Sequence, residues 1–98
     1  MFVHTVFFWL KNDITPADRA LFEKELADLT AIPSVKSGYC GKPAATDRPV
    51  VDRSYSYGLT VIFDNVTGHD AYQIDPVHKK FLSDCSTFWT KVLVYDFQ

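Results

Sequence analysis

Phe2-Val3-His4-Thr5-Val6-Phe7-Phe8-Trp9-Leu10 is rich in β-branched and aromatic side chains and contains neither Gly nor Pro, so it reads as a β-strand. Alternation sorts it into two faces. Phe2, His4, Val6, Phe8 and Leu10 share one; Val3, Thr5, Phe7 and Trp9 share the other. Both are largely apolar, and such a strand must be covered on both sides. The far end of the chain behaves alike: from Phe88 to Phe97, Val92 and Val94 lie on one face and Leu93, Tyr95 and Phe97 on the other. One layer of helices covers only one side of a sheet. The other side then needs a second sheet, and a two-fold copy of the same chain would supply it.

Between these strands, Thr15-Pro16-Ala17-Asp18 opens a helix, with Thr15 as N-cap, Pro16 at the first position and Asp18 as a shorter capping-box acid. Leu21, Phe22, Leu26 and Leu29 recur at helical spacing, while Asp18, Arg19, Glu23, Lys24, Glu25 and Asp28 are assigned to the wet side. The helix ends before Pro33. Val35 to Lys42 is a weaker strand whose Gly38 and Gly41 suggest an edge or a bulge. Pro43 to Asp52 is a loop long enough to cover something. Arg53 to Phe63 reads as a long strand, with Tyr55, Tyr57, Leu59, Val61 and Phe63 on one face. Asn65 or Thr67 then caps a short helix from Val66 to about Tyr72, on which His69 is expected to be exposed and idle.

The next segment is Tyr72-Gln73-Ile74-Asp75-Pro76-Val77-His78-Lys79-Lys80-Phe81. Pro76 lacks an N–H and disfavours helix in the residue before it, so the helix stops near Asp75. Asp75 suits an N-cap and Pro76 the first position of a new helix. That helix runs to about Ser86, with Val77, Phe81, Leu82 and Cys85 on its apolar side and Lys79 and Lys80 in water. His78 falls in its first turn, where free N–H groups and the positive dipole end favour the neutral imidazole. A neutral imidazole facing the Tyr72 phenol across the kink is an acid/base pair in outline. The same two residues would equally serve to tie the helices together.

The element order is strand, helix, strand, strand, broken helix, strand. That is the βαββαβ pattern of a ferredoxin-like α+β two-layer sandwich. With both terminal strands apolar on both faces, the expected assembly is a homodimer through the sheet face, closing an α+β barrel.

Composition narrows the function classes. A chain of 98 residues, 47% hydrophobic and 22% charged, fits one folded domain over residues 1–98. Net charge is −2 with no basic block, so nucleic acid is not an expected partner. No run approaches a membrane span, and no basic, cleavable leader is seen, so no membrane association is expected. Cys40 and Cys85 have no metal or redox spacing and read as reduced thiols of a cytoplasmic protein. No two of His4, His69 and His78 share one helix face at ligand spacing, so neither a metal nor another cofactor is expected.

With these residues in hand, the chain resembles the stress-responsive A/B-barrel (Dabb) family. The matching features are His4, Ile32-Pro33, Phe63, Tyr72, Pro76-Val77-His78, Phe81, Trp89 and Val94-Tyr95-Asp96-Phe97. The resemblance implies a dimeric α+β barrel. It is also distantly similar to the family's plant polyketide cyclases of the olivetolic acid type, which close a ring by intramolecular aldol chemistry without a cofactor. In them, residues matching His78 and Tyr72 are the acid/base pair and one matching His4 lines the pocket. That resemblance makes His78 and Tyr72 the catalytic candidates and His4, Tyr57, Leu26 and Phe81 the substrate-binding ones. Tyr57 and Leu26 stand where those cyclases carry a pocket histidine and a pocket tyrosine, which implies another substrate. Two readings stay open: a protein binding a small apolar or aromatic ligand, and a cofactor-free cyclase-like lyase. For His4, pocket wall and satisfied core histidine are both open.

Overall fold

The computed structural model describes residues 1–98, and its first strand, β1 (Phe2–Leu10), buries every second residue. Helix α1 spans Pro16–Leu29, β2 Ser37–Gly41, β3 Tyr57–Phe63, α2 Val66–Ile74, α3 Pro76–Cys85 and β4 Trp89–Phe97, with a short 3₁₀ turn at Ser86–Phe88. The sheet order is β2-β3-β1-β4 and every neighbouring pair is antiparallel. This is the expected ferredoxin-like α+β sandwich. No helix is long and apolar enough to cross a membrane.

The core lies between the helices and one face of the sheet. Phe2, Val6, Phe8 and Leu10 of β1 and Leu59, Val61 and Phe63 of β3 meet Phe22, Leu26 and Leu29 of α1, Tyr72 of α2, and Phe81 and Cys85 of α3. Phe8 sits centrally, with its ring 5.3 Å from Phe22, 5.8 Å from Phe81 and 5.1 Å from Trp89. Truncating such a residue costs about 3–5 kcal/mol through lost burial and the cavity left behind.

Local signals set the helix boundaries. Thr15 accepts from the Asp18 N–H through Oγ1 at 3.1 Å, and Asn65 accepts from Thr67 and Gly68 through Oδ1. Asp75 ends α2, where its N–H donates to the Tyr72 carbonyl, and begins α3, where its Oδ1 accepts from the Val77 N–H at 2.8 Å. Gly38 of β2 pairs closely with Val61 of β3: a Cβ there would lie 3.1 Å from Val61 Cγ1 and 3.2 Å from the Thr60 carbonyl.

Three expectations need correcting. The strand over Arg53–Phe63 begins only at Tyr57. Ser56 Oγ accepts from the Leu10 N–H at 2.9 Å, taking a donor that a longer ladder would have used, and alternation lapses before it. Tyr55 therefore lies on the other face from Tyr57, 4.8 Å from the Phe7 ring. Glu25 is not on the wet side. It is 3% exposed, and Lys80 Nζ reaches across from α3 to its Oε2 at 3.2 Å, while Leu21 takes a wetter position. Burial, reinforced by Asp84, holds the Glu25 carboxyl above the usual carboxylate range. His69 is not out on the surface: its side chain is 15% exposed and packs against Phe2 at 4.6 Å.

The second face of the sheet carries Val3, Phe7, Trp9, Ile62, Leu93, Tyr95 and Phe97. Tyr95 and Phe97 are more than half exposed. The loop before β3 folds over part of this face, where Trp9 Nε1 donates to Ser54 Oγ at 3.1 Å.

Candidate functional site

A cavity of about 230 Å³ opens between β1, β4 and the α2–α3 junction. Its walls are mostly apolar: Val6, Phe8, Leu59, Phe81, Leu82, Trp89, Val92 and Val94. Its polar groups are His4, Tyr72, Gln73 and His78. Three of these are fixed by the elements that carry them. His4 is held by the β1 ladder between β3 and β4. Tyr72 ends the buried side of α2. His78 stands in the first turn of α3, placed there by the Asp75 cap and Pro76.

The two rings expected to cooperate do face each other. Tyr72 and His78 have centroids 4.9 Å apart and planes tilted by 57°. The Nδ1 atom of His78 is buried and has no hydrogen-bond partner, a costly state that a bound polar group would relieve. Burial holds the His78 imidazole below its ordinary value; His4 pushes the same way, while the Gln73 backbone and Asp75 oppose it. Burial alone raises the Tyr72 phenol, so it stays a donor. His4 Nδ1 lies 2.5 Å from Asp96 Oδ1. Burial lowers the His4 imidazole and Asp96 pulls it back up.

Of the predicted binding residues, His4 and Phe81 line this cavity together with Tyr72 and His78. Leu26 and Tyr57 do not. They border a separate recess with Glu23, Cys40 and Lys42. There the Tyr57 hydroxyl donates to Glu23 Oε2 at 2.5 Å and accepts from Arg19 Nη1 at 3.3 Å. That network holds the phenol at this recess, outside the lining of the His78 cavity. Two side chains were given no site role from sequence: Gln73, which lines the cavity, and Asp96, which bonds the lining residue His4. The signal for Asp96 is strand parity: once β1 and β4 are antiparallel neighbours, His4 and Asp96 become direct partners.

A family model for the stress responsive A/B barrel domain (Dabb) matches residues 2–98. The chain belongs to that family. It is 30% identical over 95 residues to olivetolic acid cyclase of Cannabis sativa, covering 96% of this chain and 92% of that protein. Among solved structures, the Dabb chain resembles a dimeric ferredoxin-like protein of unknown function from Thermobifida fusca. The TM-score is 0.78 at 23% identity, over 98% of this chain and 88% of that one. It also resembles the hydroxynitrile lyase of Passiflora edulis, with a TM-score of 0.78 at 17% identity, over 98% and 90% of the two chains. These two likenesses confirm the fold.

Proposed function

We propose that this Dabb protein binds a compact apolar or aromatic carbonyl compound in the His78 cavity and acts on it by cofactor-free acid–base chemistry of the cyclase-like lyase kind. His78 is the base and Tyr72 the hydrogen-bond donor. The observation that carries this reading is the unpartnered, buried Nδ1 of His78 beside a phenol kept protonated by burial, both on the wall of an apolar cavity. A proton between two carbonyls is acidic enough for a neutral imidazole to remove. The enolate then needs a donor, which the Tyr72 hydroxyl supplies. Apolar walls strengthen both interactions by excluding water. At about 230 Å³ the cavity falls below the roughly 300–1,000 Å³ of drug-sized pockets, which favours a small substrate. The similarity to olivetolic acid cyclase supports the reaction class. Leu26 and Tyr57, which border another recess, do not enter this site.

The working assembly in this reading is a homodimer packed through the second sheet face. Phe7, Trp9, Leu93, Tyr95 and Phe97 form an apolar surface of the kind that marks interfaces, and the Thermobifida fusca neighbour is dimeric. Two free cysteines support a reducing, cytoplasmic setting.

The test is proton exchange at the C2 position of short β-keto thioesters in D₂O, followed by NMR. The native protein should accelerate it, and His78→Ala should lose about 10²–10⁴-fold of the acceleration. Saturable binding of these thioesters without any acceleration would reduce the protein to a carrier.

A further inference from the structure

His4 and Asp96 face each other across the β1–β4 ladder, joined by the Nδ1–Oδ1 contact of 2.5 Å. His69 of α2 overhangs this pair, with its ring centroid 5.2 Å from that of His4. One donor atom from each of the three side chains lies within 4.8 Å of the other two. The three come from separate elements, two neighbouring strands and the helix packed on them. They also run from closed to open: the side chains are 7%, 15% and 38% exposed for His4, His69 and Asp96.

We infer that His4, His69 and Asp96 form a binding site for a divalent first-row transition ion, on the rim of the His78 cavity but separate from the His78–Tyr72 pair. Two imidazoles and one carboxylate suit Zn²⁺, Co²⁺ or Fe²⁺; Mg²⁺ and Ca²⁺ prefer oxygen-only sets. Three protein donors leave a tetrahedral ion one position for water or a ligand. The surroundings of His69 fit the role. Asp70 Oδ1 lies 3.3 Å from its Nδ1, and a carboxylate there holds the proton on that nitrogen and leaves Nε2 as the donor atom. This is the usual outer-shell arrangement of a metal-bound histidine. Gln73 Nε2, now 3.2 Å from His69 Nε2, turns aside when the ion enters.

The adjustment required is small. With bonds of about 2.0–2.1 Å, donors on a tetrahedral ion stand about 3.3 Å apart. The His4–Asp96 contact opens slightly and His69 moves inward. The freedom comes from Asp96, the most exposed member. Binding replaces the proton on His4 Nδ1 and leaves the remaining ring proton on Nε2. It also places positive charge on the cavity wall that His4 forms.

The inference does not depend on the proposed reaction, and its test uses no substrate. Co²⁺ is titrated into the full chain and followed by visible absorption, with Zn²⁺ competition by calorimetry. One ion per chain is expected, with affinity at least 100-fold weaker in His69→Gln and in Asp96→Asn, and unchanged in His78→Gln. Proton NMR of the Co²⁺-loaded native chain should show contact-shifted N–H signals from two imidazoles, which decides the matter even if a variant fails to fold. Absence of saturable binding up to millimolar Co²⁺, signals from fewer than two imidazoles, or affinity undiminished in both ligand variants would overturn the site.

Discussion

The Tyr72 and His78 rings lie 4.9 Å apart on opposite sides of a junction where one residue, Asp75, ends α2 and starts α3. The hydroxyl of Tyr72 and the ring of His78 are therefore separable experimentally. Tyr72→Phe keeps the buried ring and should fold as the native chain does, while the exchange rate falls by about 10²–10³-fold through loss of the donor. Tyr72→Ala, by contrast, empties a position that is 1% exposed and should lose about 3–5 kcal/mol of stability. Urea unfolding beside rate measurements distinguishes the two effects.

The junction itself can be weakened without touching either ring. Asp75→Ala removes the side chain that accepts from the Val77 N–H at 2.8 Å. A lost N-cap costs about 0.5–2 kcal/mol. The expected result is a lowered urea midpoint with an unchanged slope, together with a reduced rate, because the first turn of α3 carries His78.

The pH dependence follows from His78. Its imidazole is held below the ordinary 6.5 by burial first and by His4 second, against the Gln73 backbone and Asp75. A histidine whose folded-state value is depressed binds fewer protons in the native state than when unfolded. Its contribution to stability is thus complete above 6.5 and is lost as pH falls through the window beneath that value. Melting temperatures taken from about pH 7.5 to about pH 5 should decline, and His78→Gln should flatten part of that decline. The acid limb of kcat/KM should likewise fall below 6.5, since only the neutral ring accepts a proton. Tyr72 adds no basic limb, because burial raises its phenol.

Association should respond to the second face of the sheet. Leu93 pairs with Phe7 across β1 and β4, at the middle of the apolar surface. Leu93→Asp should convert a dimer into a monomer in sedimentation equilibrium at micromolar concentration, while far-UV circular dichroism stays native-like. A chain that sediments as a monomer before the substitution would sink the dimer.

Much of this architecture is legible in the sequence because it rests on short-range rules. Alternation in β1 gave the two faces correctly, and Thr15, Asn65 and Asp75 cap the helices where their side chains predict. The failures concern partners distant in sequence. Glu25 looks like a surface residue until α3 brings Lys80 to it. Tyr55 follows the periodicity of β3 on paper, but Ser56 breaks the ladder by a side-chain bond to Leu10. His69 looks exposed on α2 until β1 brings Phe2 and His4 against its ring. For the cavity, the pairing of Tyr72 with His78 could be read from the Pro76 break. The diversion of Tyr57 to Glu23 could not, because it depends on where α1 crosses the sheet.

The strand order has a consequence for how the chain is made. β1 occupies an interior position, yet one of its neighbours is β4, so His4 waits for a residue 92 positions later. During synthesis the first apolar strand leaves the ribosome long before the strand that completes its ladder. Until then one edge of β1 stays unpaired, a state prone to wrong association. Closing so long a loop is slow, since its entropy is lost before the contacts that repay it form. Folding of this protein should therefore be late and nearly all-or-none, with the site around His4 the last part to become whole.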